Sequence, residues 1–382
     1  MAGFFLAGLL MSLLGPVLVA WRYHLRSDFS TAGKHFLGVA VGIVIAVSLA
    51  HRLIPRKGIS FVLHAAAALA CAALLYLALV SPPQYSSWLR LAGMVLIGGS
   101  AGLLLSGLFE AISPAYRHDP AATANIAGGL FVLGSLSVAL VTAGAFNLYT
   151  VSAMLVLFAL IPGVFGYAFS KTRFPAVSAY QQPAWRQVWQ DLRSPSAVLF
   201  ALVLFFQFGN EWSIAGWLAV FQIQRIGVSP VASLLLLAFY WTALLVGRIV
   251  IQSLLPRVSH VWLLMTGVLA ALFGCVILSF TRSIFGAVSG ILFIGMGFAT
   301  VYPLMVEKIG GRFPDFNPGL LNGIFAFAMV GGLLAPWTLG FFADWWGIGV
   351  LMILPLLGTA MVFLLLLLIW LEAKLSGPSS AS

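Results

Sequence analysis

The sequence predicts an all-α polytopic membrane protein with twelve transmembrane helices in two pseudo-symmetric six-helix bundles. Three observations predict this class: 62% of the 382 residues are hydrophobic, only 7% are charged, and the mean hydropathy is +1.08. Soluble proteins carry about 25% charged residues, so a water-soluble domain is excluded. The apolar runs are continuous over about twenty residues, which fits a membrane-spanning helix and is too long for a barrel strand.

Twelve apolar segments, bounded by Gly, Pro and charge clusters, are long enough to cross a bilayer. The predicted spans cover residues 3–21, 36–54, 59–81, 88–110, 121–144, 147–170, 197–222, 230–255, 260–281, 284–307, 318–343 and 348–371. A polar stretch at residues 171–196 separates the sixth span from the seventh, and residues 183–193 within it are predicted to form an interfacial helix. The predicted division is an N-terminal bundle at 1–170, a cytoplasmic linker at 171–196 and a C-terminal bundle at 197–382.

The distribution of Lys and Arg predicts the orientation of the chain. With the N-terminus inside, thirteen of these residues fall on the inner side and six on the outer side. The inner set is Arg52, Arg56, Lys57, Arg117, Lys171, Arg173, Arg186, Arg193, Arg248, Arg257, Lys308, Arg312 and Lys374. By the positive-inside rule we expect both termini in the cytoplasm, with the protein in the plasma (inner) membrane. The net charge of +10 follows from these loops, so no nucleic-acid partner is expected.

The two halves of the sequence repeat each other. At a shift of 197 positions, four residues of spans four and five coincide with identical residues of spans ten and eleven. The pairs are Gly98 with Gly295, Glu110 with Glu307, Asn125 with Asn322, and Gly134 with Gly331. Two six-helix halves related by a parallel repeat are typical of a class of transporters that bind their substrate near the midplane, between the halves.

The loop between spans two and three carries a motif that resembles the major facilitator superfamily. Residues 51–58 retain Leu53, Arg56 and Gly58 of a Gly-x-Leu-x-Asp-Arg-x-Gly signature, although His51 and Pro55 depart from it. Segments of the second half resemble the fucose:proton symporter family, which includes glucose and mannose carriers. These segments are residues 208–218, 247–248, 295–303 and 331–344. The resemblance implies alternating access by a functional monomer, with a co-transported H+ or Na+.

The first half departs from that family. Spans one and four lack the acids that carry the proton in the fucose carrier, and span five offers Ala127, Gly128 and Phe131 beside Asn125. We therefore expect the first half of the cavity to be more apolar than a typical sugar site. The identity of the coupling ion stays open between H+ and Na+.

Glu211 is the only acid deep inside any predicted span. It lies about 14 residues into span seven, which is roughly 21 Å along a helix. A charge at such a depth costs about 2.5–3.5 kcal/mol on insertion scales, so Glu211 is expected to face a cavity or bind a proton. It is the predicted site of ion coupling. The alternative is a protonated or paired glutamate that fixes helix packing.

Polar and aromatic residues around Glu211 form the predicted substrate site. Amides and carboxylates match the hydroxyl groups of a sugar, and an aromatic side chain stacks on its apolar face. The predicted substrate-binding residues are Gln207, Asn210, Glu211, Trp217, Trp241, Tyr302, Asn125 and Asn322. Aromatic residues are equally typical of the interfacial belts of membrane proteins, so packing is the alternative for each of them.

Four charged residues at the predicted inner ends of the helices are candidates for a gate. Glu110 and Glu307 end spans four and ten, while Arg56 and Arg257 follow spans two and eight. Ion pairs among them would break as the inner side opens. Solvated loop charges of little energetic value are the alternative.

The sequence lacks the patterns that metal, cofactor or ATP chemistry would need. The six His and two Cys form no metal-ligand pattern, and no Walker motif occurs. We expect no metal, no cofactor and no enzyme activity. The predicted function is a secondary active transporter that moves a small neutral polar solute, a monosaccharide being the favoured example, across the inner membrane by alternating access with H+ or Na+ coupling. Its expected partners are the solute, the co-transported ion and the surrounding membrane lipid. The alternative is an exporter or flippase of a hydrophobic or amphipathic compound.

Overall fold

The structure is a computed structural model that describes residues 1–25, 28–174, 195–312 and 323–375. Every element in this part of the chain is an α-helix. The helices are α1 (Gly3–Ser12), α2 (Leu14–Leu25), α3 (Phe29–Val80), α4 (Ser87–His118), α5 (Pro120–Ala145), α6 (Val151–Lys171), α7 (Pro195–Ile226), α8 (Pro230–Leu254), α9 (His260–Phe280), α10 (Ile284–Arg312), α11 (Gly323–Trp346) and α12 (Val350–Leu375). The predicted interfacial helix at 183–193 lies outside the described residues.

The described helices accommodate the twelve predicted spans. Eleven helical segments in the described ranges are long and apolar enough to cross a membrane, and the longest has 52 residues. That length is about 78 Å at 1.5 Å per residue, more than twice the roughly 30 Å of a hydrocarbon core. Helix α3 therefore contains spans two and three, which meet at Gly58, a glycine with left-handed φ of 84°. Helices α1 and α2 together form span one.

Several helices extend beyond the predicted spans. Helix α3 starts at Phe29, seven residues before the predicted position 36, because Asp28 caps it: the carboxylate accepts a hydrogen bond from the Thr31 amide at 3.1 Å. Helices α4 and α10 run on to His118 and Arg312. Polar residues therefore continue these helices past their apolar segments.

Each half packs as its own bundle, and the two bundles use equivalent helix pairs. In the first half α1 packs on α5, and α3 packs on both α4 and α6. In the second half α7 packs on α11, α8 on α10, and α9 on α12. The pairing of spans one and five, two and four, and three and six is thus repeated by spans seven to twelve. This agrees with the predicted pseudo-symmetry, while the boundaries of the linker remain a prediction.

Glycines make the closest helix contacts, and repeat-related glycines do so at equivalent places. A Cβ added to Gly98 would fall on the Val39 carbonyl, and one added to Gly295 would lie 3.0 Å from the Tyr240 carbonyl. In the same way Gly134 lies against the Phe5 carbonyl. Small residues of this kind allow the backbones of membrane helices to approach closely.

The halves touch each other at both ends of the bundle. At the predicted outer end α3 contacts α11 and α2 contacts α7, whereas at the predicted inner end α5 contacts α8 and α10. Large apolar side chains are exposed around the outside of the bundle, including Leu79, Phe280 and Phe285 at 70%, 77% and 82%. Exposed apolar surface of this extent is compatible with lipid and not with water.

The replacement Gly98→Ala is expected to lower the melting temperature of the purified protein. The new methyl group would overlap the Val39 carbonyl, and overpacking of this kind costs about 1–3 kcal/mol. Gly144→Ala is the control, because a Cβ there meets nothing within 4 Å. Thermal unfolding in detergent compares the two variants, and equal melting temperatures would contradict the close approach of α3 and α4.

Candidate functional site

One large cavity lies between the two halves. Helices α1, α4 and α5 line it from the first half, and α7, α8, α10 and α11 line it from the second. The lining residues are Phe4, Met11, Leu105, Phe109, Ile112, Tyr116, Ala124, Ala127, Gly128, Phe131, Val132, Phe208, Glu211, Trp212, Trp241, Leu244, Arg248, Tyr302, Phe325 and Met329. The volume of the cavity is about 130 Å³, whereas one water molecule needs roughly 10–15 Å³ on the same measure. The cavity can therefore hold a small organic molecule.

Glu211 projects into this cavity from the middle of α7. Gln207 lies one turn earlier on the same face, and its Nε2 donates a hydrogen bond to Glu211 Oε1 at 2.7 Å. Residues four apart on a helix are neighbours, so this pair follows directly from the sequence spacing. The Gln207 amide group therefore orients one oxygen of the Glu211 carboxyl group, and that carboxyl group still lines the cavity.

Arg248 is the second charged residue of the cavity. Its side chain is only 7% exposed, and Nε and Nη1 are buried without a hydrogen-bond partner in the described part of the chain. It lies against Gly128 of α5, where an added Cβ would fall on the guanidinium group. Arg248 and Glu211 line the same cavity, yet no salt bridge joins them. The cavity therefore contains one carboxyl group and one unpaired guanidinium group.

Arg248 is one of the thirteen inner cations counted for the orientation, but the structure shows that it does not lie in a loop. Arg248 lies within α8, about 10 Å from the predicted end of its span at 1.5 Å per residue. An ionisable residue at that depth is itself a sign of a functional site, which could have identified it. Without Arg248, twelve inner cations still face six outer ones, so the expected orientation is unchanged.

Nine of the twenty residues that line the cavity are aromatic. Tyr302 packs on Phe208 with ring centroids 5.8 Å apart. Phe131 of the first half meets Trp212 of the second edge to face at 6.0 Å. Trp241 lines the cavity, and its indole Nε1 is buried with no hydrogen-bond partner in the described ranges. Of the three aromatic residues predicted to bind substrate, Trp241 and Tyr302 line the cavity.

Three of the predicted substrate-binding residues lie elsewhere. Asn210 donates a hydrogen bond to Thr359 of α12 at 3.2 Å, on another face of α7. The buried Trp217 donates to the Pro336 carbonyl at 2.8 Å and is not part of the cavity wall. Asn125 donates to Gln252 of the opposite half at 2.9 Å. Asn322, which was also predicted to bind substrate, lies outside the described residues.

The predicted gate residues do not form the expected cross-pairs in the described part of the chain. Glu307 forms its ion pair with His260, 3.4 Å away on α9 of the same half. Arg56 and Arg257 are exposed, and Glu110 is half-buried near the end of α4. Because the Glu307 pair joins two helices of one half, breaking it would not separate the two halves.

Hydrogen bonds join the two halves at both ends of the bundle. At the predicted inner end, Asn125 of α5 and Gln252 of α8 are hydrogen-bonded. At the predicted outer end, Asp344 of α11 accepts from the amides of Phe29 and Ser30 at 3.0 and 2.7 Å. We call this second contact the Asp344 latch. It places a carboxylate at the N-terminus of α3, where the helix dipole favours negative charge.

Two helical bundles that enclose one cavity and meet at both of its ends define a membrane transport protein. The chain belongs to the Major Facilitator Superfamily, since the sequence model of that family matches residues 1–329. It is therefore an integral membrane protein and a secondary transporter. A comparison with curated protein sequences finds no match.

Solved structures of other transporters have a similar fold. The E. coli fucose:proton symporter is 17% identical over 96% of both chains, with a TM-score of 0.69. A D-xylose-proton symporter is 14% identical over 95% of both chains, with a TM-score of 0.73. The nucleoside transporter NupG is 12% identical, with a TM-score of 0.70 over 96% of this chain and 98% of its own. These likenesses confirm the predicted fold and the resemblance to the fucose:proton symporter.

The replacement Asp344→Ala is expected to increase access to the cavity from the predicted outer end. A carboxylate at an exposed helix N-terminus is worth about 0.3–1 kcal/mol, so the open population should rise about 2- to 5-fold. The measurement is the rate at which an impermeant maleimide labels Phe36→Cys in a chain whose two native cysteines are replaced by alanine. Glu307→Gln is the control, and an equal rate in both variants would contradict the latch.

Proposed function

We propose that the protein moves a small amphipathic solute through the cavity between its halves, driven by a proton that binds Glu211. The observation that carries this proposal is the composition of the cavity wall. Apolar and aromatic side chains supply nearly all of it, and among the described lining residues only Glu211 and Arg248 carry charged groups. Ligand sites with apolar walls and few polar groups hold the body of a ligand by burial and orient it by hydrogen bonds.

A proton suits Glu211 better than a sodium ion. Hard cations need several oxygen ligands at once. Glu211 is the only carboxyl group among the described residues that line the cavity. A single carboxyl group, oriented by Gln207, is sufficient to bind and release a proton.

A monosaccharide is the second candidate substrate. It is favoured by the fold shared with sugar symporters and by the hydroxyl groups of Tyr116 and Tyr302 and the indoles of Trp212 and Trp241 in the cavity. Sugars, however, are usually bound by several hydrogen-bonding groups, and the side chains of Asn125 and Asn210 bond elsewhere. The amphipathic solute therefore fits the wall better.

The replacement Glu211→Gln is expected to abolish uptake against a concentration gradient and to spare exchange of solute across the membrane. Glutamine keeps the shape and the contact with Gln207 but cannot release a proton. The measurement compares pH-driven uptake and counterflow in proteoliposomes, with Glu307→Gln, whose half-buried carboxylate lies outside the cavity wall, as the control on α10. Concentrative uptake that persists in Glu211→Gln would exclude Glu211 as the coupling site.

A thermal-shift panel on the purified protein is expected to separate the two substrates. Amphipathic solutes should raise the melting temperature by several degrees, because a ligand that binds only the folded state stabilises it. Hexoses and deoxyhexoses at equal concentration should leave it unchanged. A response to one sugar epimer, together with silence from every amphipathic compound, would favour the monosaccharide instead.

A further inference from the structure

Arg248 is buried and shares the cavity with Glu211, but it forms no direct salt bridge with that carboxyl group. The guanidinium group makes no salt bridge within the described residues, and its Nε and Nη1 atoms have no hydrogen-bond partner. Buried charges in proteins are normally paired and hydrogen-bonded, because leaving water without a partner is costly. Arg248 also lines the cavity, so an anion in the cavity can supply the missing partner.

We propose that Arg248 binds the anionic end of the substrate, and that the transported solute is a singly charged amphipathic carboxylate that travels with one proton. This inference rests on the proposed function and names the substrate class of the same site. The planar guanidinium fork matches the two oxygens of a carboxylate. Phe131, Trp212 and Phe208 of the cavity wall would contact the apolar body.

The charge balance of the cavity accounts for the proton. In the empty cavity, ionised Glu211 and Arg248 sum to zero net charge. Binding a carboxylate at Arg248 would leave one net negative charge in an apolar space, which is unfavourable at low dielectric. A proton taken from solution onto Glu211 restores zero, so one proton enters with each anion. The other titratable groups near this pair are the phenols of Tyr240 and Tyr302, with Tyr116 farther along the wall.

Gly128 of α5 keeps the space around Arg248 free. Any side chain there would fall on the guanidinium group, whereas the neighbouring Gly129 has only an ordinary contact at 3.9 Å with Leu245. The two glycines therefore provide a matched pair of variants. Gly128→Ala should displace Arg248 without removing its charge, and Gly129→Ala should leave it in place.

The first experiment measures binding of benzoate, phenylacetate and octanoate to the purified full chain, each compared with its uncharged primary amide. We expect at least one carboxylate to bind at least tenfold more tightly than its amide. Arg248→Gln should remove that preference, Arg248→Lys should retain part of it, and the exposed control Arg257→Gln should keep it. Gly128→Ala should weaken carboxylate binding while Gly129→Ala does not.

The second experiment measures proton uptake on binding in weakly buffered solution. We expect about one proton per bound carboxylate, and none in Glu211→Gln. Amides that bind as well as the carboxylates, or no binding by any of the three carboxylates, would overturn the inference. A preference for carboxylates that survives in a folded Arg248→Gln variant, verified by size-exclusion chromatography, would overturn it as well.

Proton-coupled transport and the anion site at Arg248 can be refuted independently of each other. Uptake of an uncharged solute that is driven by a pH gradient and unaffected by Arg248→Gln would overturn the anion site and leave proton-coupled transport standing. Conversely, anion binding that depends on Arg248 without any uptake driven by a pH gradient would overturn the proposed function and leave the anion site standing.

Discussion

Two opposite charges in one apolar cavity are the constraint on which the rest of the site depends. Leaving one buried ion without compensation costs about 3–5 kcal/mol, a large share of the stability of a typical domain. Glu211 and Arg248 line the same space, so each charge reduces the cost of the other even though they form no direct pair. Their separation leaves room between them. A directly paired carboxylate and guanidinium would fill each other's hydrogen-bonding positions and leave a ligand nothing to bind.

The hydrogen bonds that join the halves at the two ends of the bundle differ in kind. Neutral amides, Asn125 and Gln252, meet at one end, whereas the Asp344 latch sets a carboxylate on a helix N-terminus at the other. Each contact includes a small number of hydrogen bonds between the halves. Glycines also hold helix backbones in direct contact, both within each half and, at Gly33 and Gly340, between the halves. Alternating access by rigid-body motion would require the contacts between the halves to separate at one end at a time.

The sequence predicted the spans well because long apolar runs determine where helices cross a membrane. It predicted the helix ends less well, since side chains such as Asp28 set them. It identified Glu211 because a lone buried acid is conspicuous, but it could not tell which neighbours share its face. Adjacent residues on a helix are about 100° apart, and accordingly Asn210 points to α12 while Gln207 reaches Glu211. Arg248 was missed because it was counted with the loop charges.

The polar groups of the cavity wall are distributed unevenly between the two halves. Within the described cavity wall, the first half contributes Tyr116 as its only side chain with a polar group, whereas both charged residues come from α7 and α8 of the second half. In the proposed site the polar end of a ligand would therefore be held by one half, and the other half would offer it an apolar surface. When the halves move apart, contacts to that apolar surface can be lost without leaving a buried polar group unpaired. An apolar first half thus eases the separation of the two halves with the ligand still bound to the second.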